Sequence, residues 1–463
     1  MLLIEAGGSH RYARDYVAHV VFGEFLGLEF RIIQTNRPGW CIKCAGRRGE
    51  LLLPDDFFSM PSRIWLGHES LPNPPLAQWS YCLDDGHSSF RGVLPVLFGQ
   101  GESRLGRLTV AADSVRLDID VLGTIFFMLS RYEEIILDQR DLHGRFPGGA
   151  SLAARCGFLL RPVVDEYVEV LWRCMRLLWP DIVRKSSPGT VHVGCDVDVP
   201  YDCDARDGWR VLVSSVRDLI RRKHGGVIAK RVRNHLASRR GDYSLDPNHT
   251  FDWYMDACDK AGRRAAFNFI AGHSAGAVDG CYRIEEPRIL SLMGHIHRRG
   301  HELGLHASYN SFRDGGVIRQ ELERLAATCH HNGIGADIIG NRQHFLRWDA
   351  AETADHLDEA GLEYDATGGY ADLPGFRYGT GKSFSMWSWK RQAALKLRQR
   401  PLIMMECTIM SARYLGLGHG QEAADMMNKL KQSALEYGGD FGFLWHNSNL
   451  QHSVERELFL SLL

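Results

Sequence analysis

From residue 191 onward, short apolar runs alternate with helical stretches, and few folds satisfy that rhythm. The runs are VHVGCDVDV (191–199), AAFNFI (265–270), ELGLHA (302–307), ADIIGNRQH (336–344), LEYDAT (362–367), LIMMECTI (402–409) and FGFLWHNS (441–448). Amphipathic segments precede most of them, such as ELERLAATCHH (321–331), DAAETADHLDEAG (349–361) and QEAADMMNKLKQSALEYGG (421–439). The last stops at a double glycine, as a helix end should. Seven strands, each returned by a helix, require a parallel sheet, open or closed into a barrel. In closed barrels the functional side chains gather at the C-terminal strand ends.

Residues 1–185 lack this rhythm. EFRIIQ (29–34), ELLLP (50–54) and RLTVAA (107–112) read as strands, and 118–137 and 161–179 as helices. PDIVRKSSPGT (180–190) has linker composition. The expectation is an α+β domain over 1–185 and an α/β domain over 186–463. With 44% hydrophobic and 24% charged residues, neither disorder nor a coiled coil is favoured. A formal net charge of -1 gives no global pull toward nucleic acid or an anionic membrane. No apolar run approaches the roughly 20 residues of a membrane helix, and the N-terminus does not read as a signal peptide. A cytoplasmic location follows as the expectation. The eleven scattered cysteines read as free thiols of a reducing compartment, and the lone C-x-x-C at Cys41 and Cys44 has no second pair for zinc. Between Arg210 and Arg240 stand ten Arg or Lys and one acid, Asp218, within an insertion over about 203–250. This reads as a solvated helical insertion, or as an electropositive surface for a phosphorylated or lipid-linked ligand.

The strand ends carry a constellation. Asp196 and Asp198 are two residues apart on one strand, so both side chains leave the same face. The strand before them is apolar on both faces, so the pair meets a closed environment where two acids repel unless a cation or a proton intervenes. His306 ends the third strand, level with the aspartates, and with Asp198 would offer ligands to zinc or a similar ion. His301, at the entry of that strand, is expected to be structural. Arg342 and His344 share a face at the fourth strand end, where an arginine beside a carboxylate keeps it ionised. His446 closes the last strand and suits a general acid. Trp445 beside it points away and is expected to pack. The long loop GGYADLPGFRYGTGKSF (368–384) offers Tyr370, Asp372, Arg377 and Tyr378 as a sugar subsite, or as a lid closed by its own aromatics.

These residues resemble the polysaccharide deacetylase superfamily, the NodB-homology fold, over roughly 188–460. The resemblance implies a distorted barrel of about seven strands, (β/α)7, behind the N-terminal domain. The D-x-D form is similar to the branch acting on lipid- or nucleotide-linked aminosugars. By resemblance Asp196 would be the base, Arg342 its support, His446 the acid, and Asp198 and His306 metal ligands. The family's second motif histidine falls on Asn310, so the third ligand is either His344 or Asn310. The metal implied is divalent: zinc, or else cobalt or manganese. Tyr309, Phe345, Tyr370 and Arg377 are expected to contact substrate, with the Phe345 backbone N–H facing the oxyanion. Stretches such as VFGEFLGLEF, GTIFFMLSRYEE and YDATGGYADLPGFRYGT look like a bacterial subgroup found with surface-polysaccharide genes. The implied activity is metal-dependent de-N-acylation of an aminosugar in O-antigen or capsule biosynthesis. The alternative is a catalytically altered sugar-binding protein of polysaccharide assembly, with no nucleic-acid partner in either case.

Overall fold

The computed structural model describes residues 1–84, 89–99, 107–186, 188–202 and 225–463. Part of the basic insertion, residues 203–224, lies outside the described residues, and its described part opens with the helix Gly225–Ser238.

Eight strands lie in the N-terminal region: β1 (Leu2–Ala6), β2 (Phe30–Gln34), β3 (Trp40–Cys44), β4 (Glu50–Leu53), β5 (Ala77–Asp84), β6 (Ser89–Val96), β7 (Leu108–Ala111) and β8 (Ser114–Leu117). Six form one mixed sheet in the order β2-β1-β3-β4-β8-β7, and β5 pairs with β6 as a separate hairpin. The sequence signalled β2, β4 and β7; β1, β3, β8 and the hairpin went unread, being short or polar on one face.

The second sheet has nine strands: β9 (Val191–Val197), β10 (Ala265–Phe269), β11 (Glu302–Ala307), β12 (Gly340–Gln343), β13 (Tyr364–Asp365), β14 (Phe384–Ser388), β15 (Ala393–Gln399), β16 (Met404–Met405) and β17 (Phe441–Leu444). Their order is β14-β15-β13-β12-β11-β10-β9-β17-β16, and every pairing is parallel except β14 with β15. The seven expected strands are all present, six of them shorter than read. The extra two are the hairpin β14–β15; β15 alternates exposed and buried residues along its length, where a strand buried on both faces would be apolar throughout. The sheet curls, and its two sides are bridged by loop backbone instead of a strand pair: Leu402 N–H donates to Gly368 O at 3.3 Å and Gly375 N–H to Ile403 O at 2.8 Å. Helices 251–260, 287–298, 315–331, 353–360 and 421–436 intervene between the strands.

The stretch read as one helix over 118–137 is two, Val121–Leu129 and Tyr132–Ile136. The break is Arg131, whose backbone is left-handed at φ 53. That turn aims its guanidinium at Glu133 (2.9 Å), Glu134 (2.8 Å) and the Tyr370 hydroxyl (2.8 Å). Arg377 completes the cluster, gripping Glu134 with two parallel hydrogen bonds at 2.9 and 2.6 Å and donating to Gly369 O. Tyr378 bonds Gln399, and Thr380 bonds Asp165 on the helix Val163–Leu178. The loop 368–384 is therefore a seam joining the two regions. Tyr370 and Arg377, expected at a sugar subsite, are both buried, with Arg377 donating to Glu134 and Gly369 O and the Tyr370 hydroxyl accepting from Arg131. The cysteine reading is corrected in one place. Among the described residues nine are free thiols, whereas Cys281 is disulfide-bonded.

Breaking a buried ion pair strands its partner's charge. Arg377→Ala is expected to lose about 3–5 kcal/mol of stability in chemical unfolding. A substrate-contact role would instead leave stability unchanged and raise KM.

Candidate active site

Parallel pairing sets the site's first layer. β9 lies in register with β10, so Asp196 faces Asn268, and β11 with β12, so His306 sits beside Arg342. Asn268 Nδ2 donates to Asp196 Oδ1 at 2.9 Å. Arg342 Nη1 donates to the same oxygen at 3.2 Å, and its Nε to Ala366 O at 3.0 Å. All three side chains are buried. Arg342 reaches Asp196 across Gly194: a Cβ there would stand 2.6 Å from Nη2.

Asp198, just beyond β9, meets three imidazoles. His306 Nε2 is 3.2 Å and His344 Nε2 3.8 Å from its Oδ1, and His446 Nε2 is 3.6 Å from its Oδ2. Each ring is held by its other nitrogen. His306 Nδ1 lies 2.7 Å from Arg342 O, His344 Nδ1 2.8 Å from Asp279 and His446 Nδ1 2.6 Å from Glu406. A ring that donates through Nδ1 presents its Nε2 lone pair to the cavity. Burial opposes ionisation of Asp198, but the neighbouring His306, His344 and His446 hold its carboxyl well below the usual range.

Asp198, His306 and His344 bring one ligand atom each within 4.8 Å of one another. Ligand atoms around a tetrahedral ion at about 2.0–2.1 Å stand about 3.3 Å apart, close to the spacing here. Asp198 Oδ1 is also buried with no hydrogen-bond partner, as an oxygen reserved for a cation would be. Two imidazoles and a carboxylate leave room for water and substrate. The residues thus fit a divalent ion. Asn310 does not join them. It is exposed, donating to Ser274 O at 3.1 Å and accepting from Arg347 at 3.0 Å. Of the two alternatives for the third ligand, the structure brings His344, not Asn310, next to Asp198 and His306.

Asp279, Glu406 and Asn268 were not read from the sequence. Asp279 is fully buried and accepts from the backbone of Ala275 and Tyr309 as well as meeting His344. Glu406 is fully buried and takes His446 N–H and Asn449 Nδ2 besides the His446 ring. Burial disfavours the His446 imidazolium, but the Glu406 charge outweighs it and raises the pKa well above the ordinary value. A lone acid in LIMMECTI and a lone amide in AAFNFI were the available signals.

Phe345 follows His344 in a left-handed conformation, φ 60, a costly backbone state for a bulky residue and one found at functional sites. Its carbonyl accepts from Arg145 at 2.8 Å. Tyr309 bonds His143 through its hydroxyl at 2.9 Å. His301 accepts from Ala265 N–H, and Trp445 is buried, so both are structural.

The profile of a family of unknown function, DUF7033, matches residues 2–180. No curated protein matches the chain. Two solved structures show remote likeness. A provisionally named polysaccharide deacetylase from Mycobacterium smegmatis has a TM-score of 0.38 and 15% identity over 60% of this chain and 83% of its own. PuuE allantoinase has a TM-score of 0.36 and 8% identity over the same shares. At that distance the likeness carries no functional argument, and the chemistry rests on the residues themselves.

Zinc titration of chelator-stripped protein checks the ligand set. His344→Ala is expected to weaken binding at least as much as Asp279→Asn, which should cost about 10–100-fold. Asn310→Ala should leave affinity unchanged.

Proposed function

We propose that the protein is a metal-dependent amide hydrolase of the NodB type. It would remove an N-acetyl or N-formyl group from an aminosugar in bacterial surface-polysaccharide biosynthesis, O-antigen or capsule. The observation that carries this reading is the division of labour between two acids on one strand. Asp196 is engaged by Arg342 and Asn268, while Asp198 faces three imidazoles.

Asp198, His306 and His344 would hold the metal, which we take to be zinc, with cobalt or manganese as substitutes. When bound, it would polarise the acyl carbonyl and acidify a water. Asp196 accepts the proton of the attacking water, and Arg342 and Asn268 hold it in place through Oδ1. The water oxygen bonds to the acyl carbon. The Phe345 N–H is assigned as donor to the negative charge growing on the carbonyl oxygen. His446, held protonated by Glu406, delivers its proton to the nitrogen as the C–N bond breaks. The products are a free amine and acetate or formate. This reading includes a two-domain division at about residue 185 and a cytoplasmic location, with a nucleotide- or carrier-linked sugar as substrate. Among the described residues no helix is long and apolar enough to cross a membrane.

Acyl release from nucleotide-linked, lipid-linked and free N-acyl aminosugars tests the reading. Release should require added metal, stop on chelation and fall about 10²–10⁴-fold in Asp196→Asn or His446→Ala. No release from any of these substrates by the metal-loaded protein would overturn it. Gly194→Ala, which crowds Arg342 off Asp196, should lower kcat while metal stays bound.

A further inference from the structure

Beside the metal-binding cluster lies a second group of side chains that the hydrolytic scheme does not use. His143, from the N-terminal region, has its ring centroid 4.9 Å from that of Phe345, which in turn is 4.7 Å from that of His344. Two arginines meet at His143. Arg347 Nε donates to its carbonyl at 2.7 Å, and Arg413 Nη2 lies 3.3 Å from its Nε2. Arg347 is stacked between Tyr309 and Phe312, its guanidinium carbon 4.0 and 4.1 Å from the ring centroids.

The charge here is unbalanced. The nearby acids are already taken, Asp141 by Arg145 and Asp349 by Arg313. Neither Arg347 nor Arg413 has an ion-pair partner among the described residues. Arg347 Nη2 and Arg413 Nε and Nη1 make no hydrogen bond there either. Arg413 is exposed, and its one side-chain hydrogen-bond partner is His143. An arginine donating to His143 Nε2 fixes the Nδ1–H tautomer. That N–H donates to the Tyr309 hydroxyl, whose own hydrogen is then directed outward. Burial works against the Arg347 charge, and Arg313 and Arg145 add to the repulsion, a cost that a bound anion would relieve.

We propose that Arg347, Arg413 and the Tyr309 hydroxyl form an anion subsite, organised by His143, that receives the phosphoryl group of the substrate. Planar guanidinium donors beside a hydroxyl match phosphate oxygens. A sugar whose acyl-amide sits at the metal cluster would carry this group about one ring away. The identity of the sugar rests on the hydrolase reading; the anion site does not. It also gives the N-terminal region a direct part in binding, through the segment around His143. The shared chemistry is a sugar diphosphate, borne by a nucleoside or by a lipid carrier.

Inorganic pyrophosphate is the probe, titrated calorimetrically into chelator-treated full-length protein, so that neither metal nor turnover contributes. The wild type should bind it. Arg413→Ala, an exposed substitution, should weaken binding about tenfold or more, the worth of one charge-assisted hydrogen bond, and His143→Ala should also weaken it. Failure of the wild type to bind, or equal binding by Arg413→Ala, overturns the proposal. With metal restored, kcat/KM is compared for nucleoside-diphosphate-linked, lipid-diphosphate-linked and unphosphorylated N-acyl aminosugars. Preference for either linked form, lost in Arg413→Ala, supports the subsite and identifies the carrier. Equal use of the unphosphorylated sugar overturns it. Pyrophosphate binding without acyl release from any sugar would refute the hydrolase reading alone.

Discussion

The guanidinium of Arg342 lies inside the curled sheet, between Asp196 on β9 and the Ala366 carbonyl beyond β13. A buried cation there must be answered, and Asp196 answers it. The two aspartates of one strand end thereby stop being equivalent. One is neutralised from within the sheet, and the other is left facing imidazoles. The same arginine's carbonyl orients His306, so a single residue positions both Asp196 and His306.

The site repeats one device around this centre. A buried acceptor takes a histidine's Nδ1, and Nε2 faces the cavity: Arg342 O for His306, Asp279 for His344, Glu406 for His446. Identical geometry serves different ends, because the environments differ. Asp279 also accepts from two backbone N–H groups, and Glu406 from the His446 N–H and Asn449 Nδ2, while the Glu406 charge raises the proton affinity of His446.

Much of this was legible because it is periodic. Alternation gave the order of strands, and i, i+2 spacing put Asp196 with Asp198 and Arg342 with His344 on shared faces. What escaped lacked a period. Asp279 ends the short 3-10 helix Gly276–Asp279 after β10, and its contact with His344 exists only in the folded chain. Asn268 becomes meaningful only once the register with Asp196 is known. Arg377 and Tyr370 misled for the opposite reason. Polar residues in a long loop look available to a ligand, yet their partners lie about 240 residues away in sequence, at Glu134 and Arg131. Nothing local reports a contact of that separation.

The seam made by loop 368–384 has a consequence for heredity. Arg377 meets Glu134, Thr380 meets Asp165, and Val164 N–H meets Gly379 O. Each bond joins the N-terminal region to the loop between β13 and β14. A recombination that exchanged the N-terminal region for a distant relative's would leave the buried Arg377 without its carboxylate, and the converse exchange would leave Asp165 without Thr380. The two regions must therefore change together, and variation in one is expected to be answered across the seam in the other.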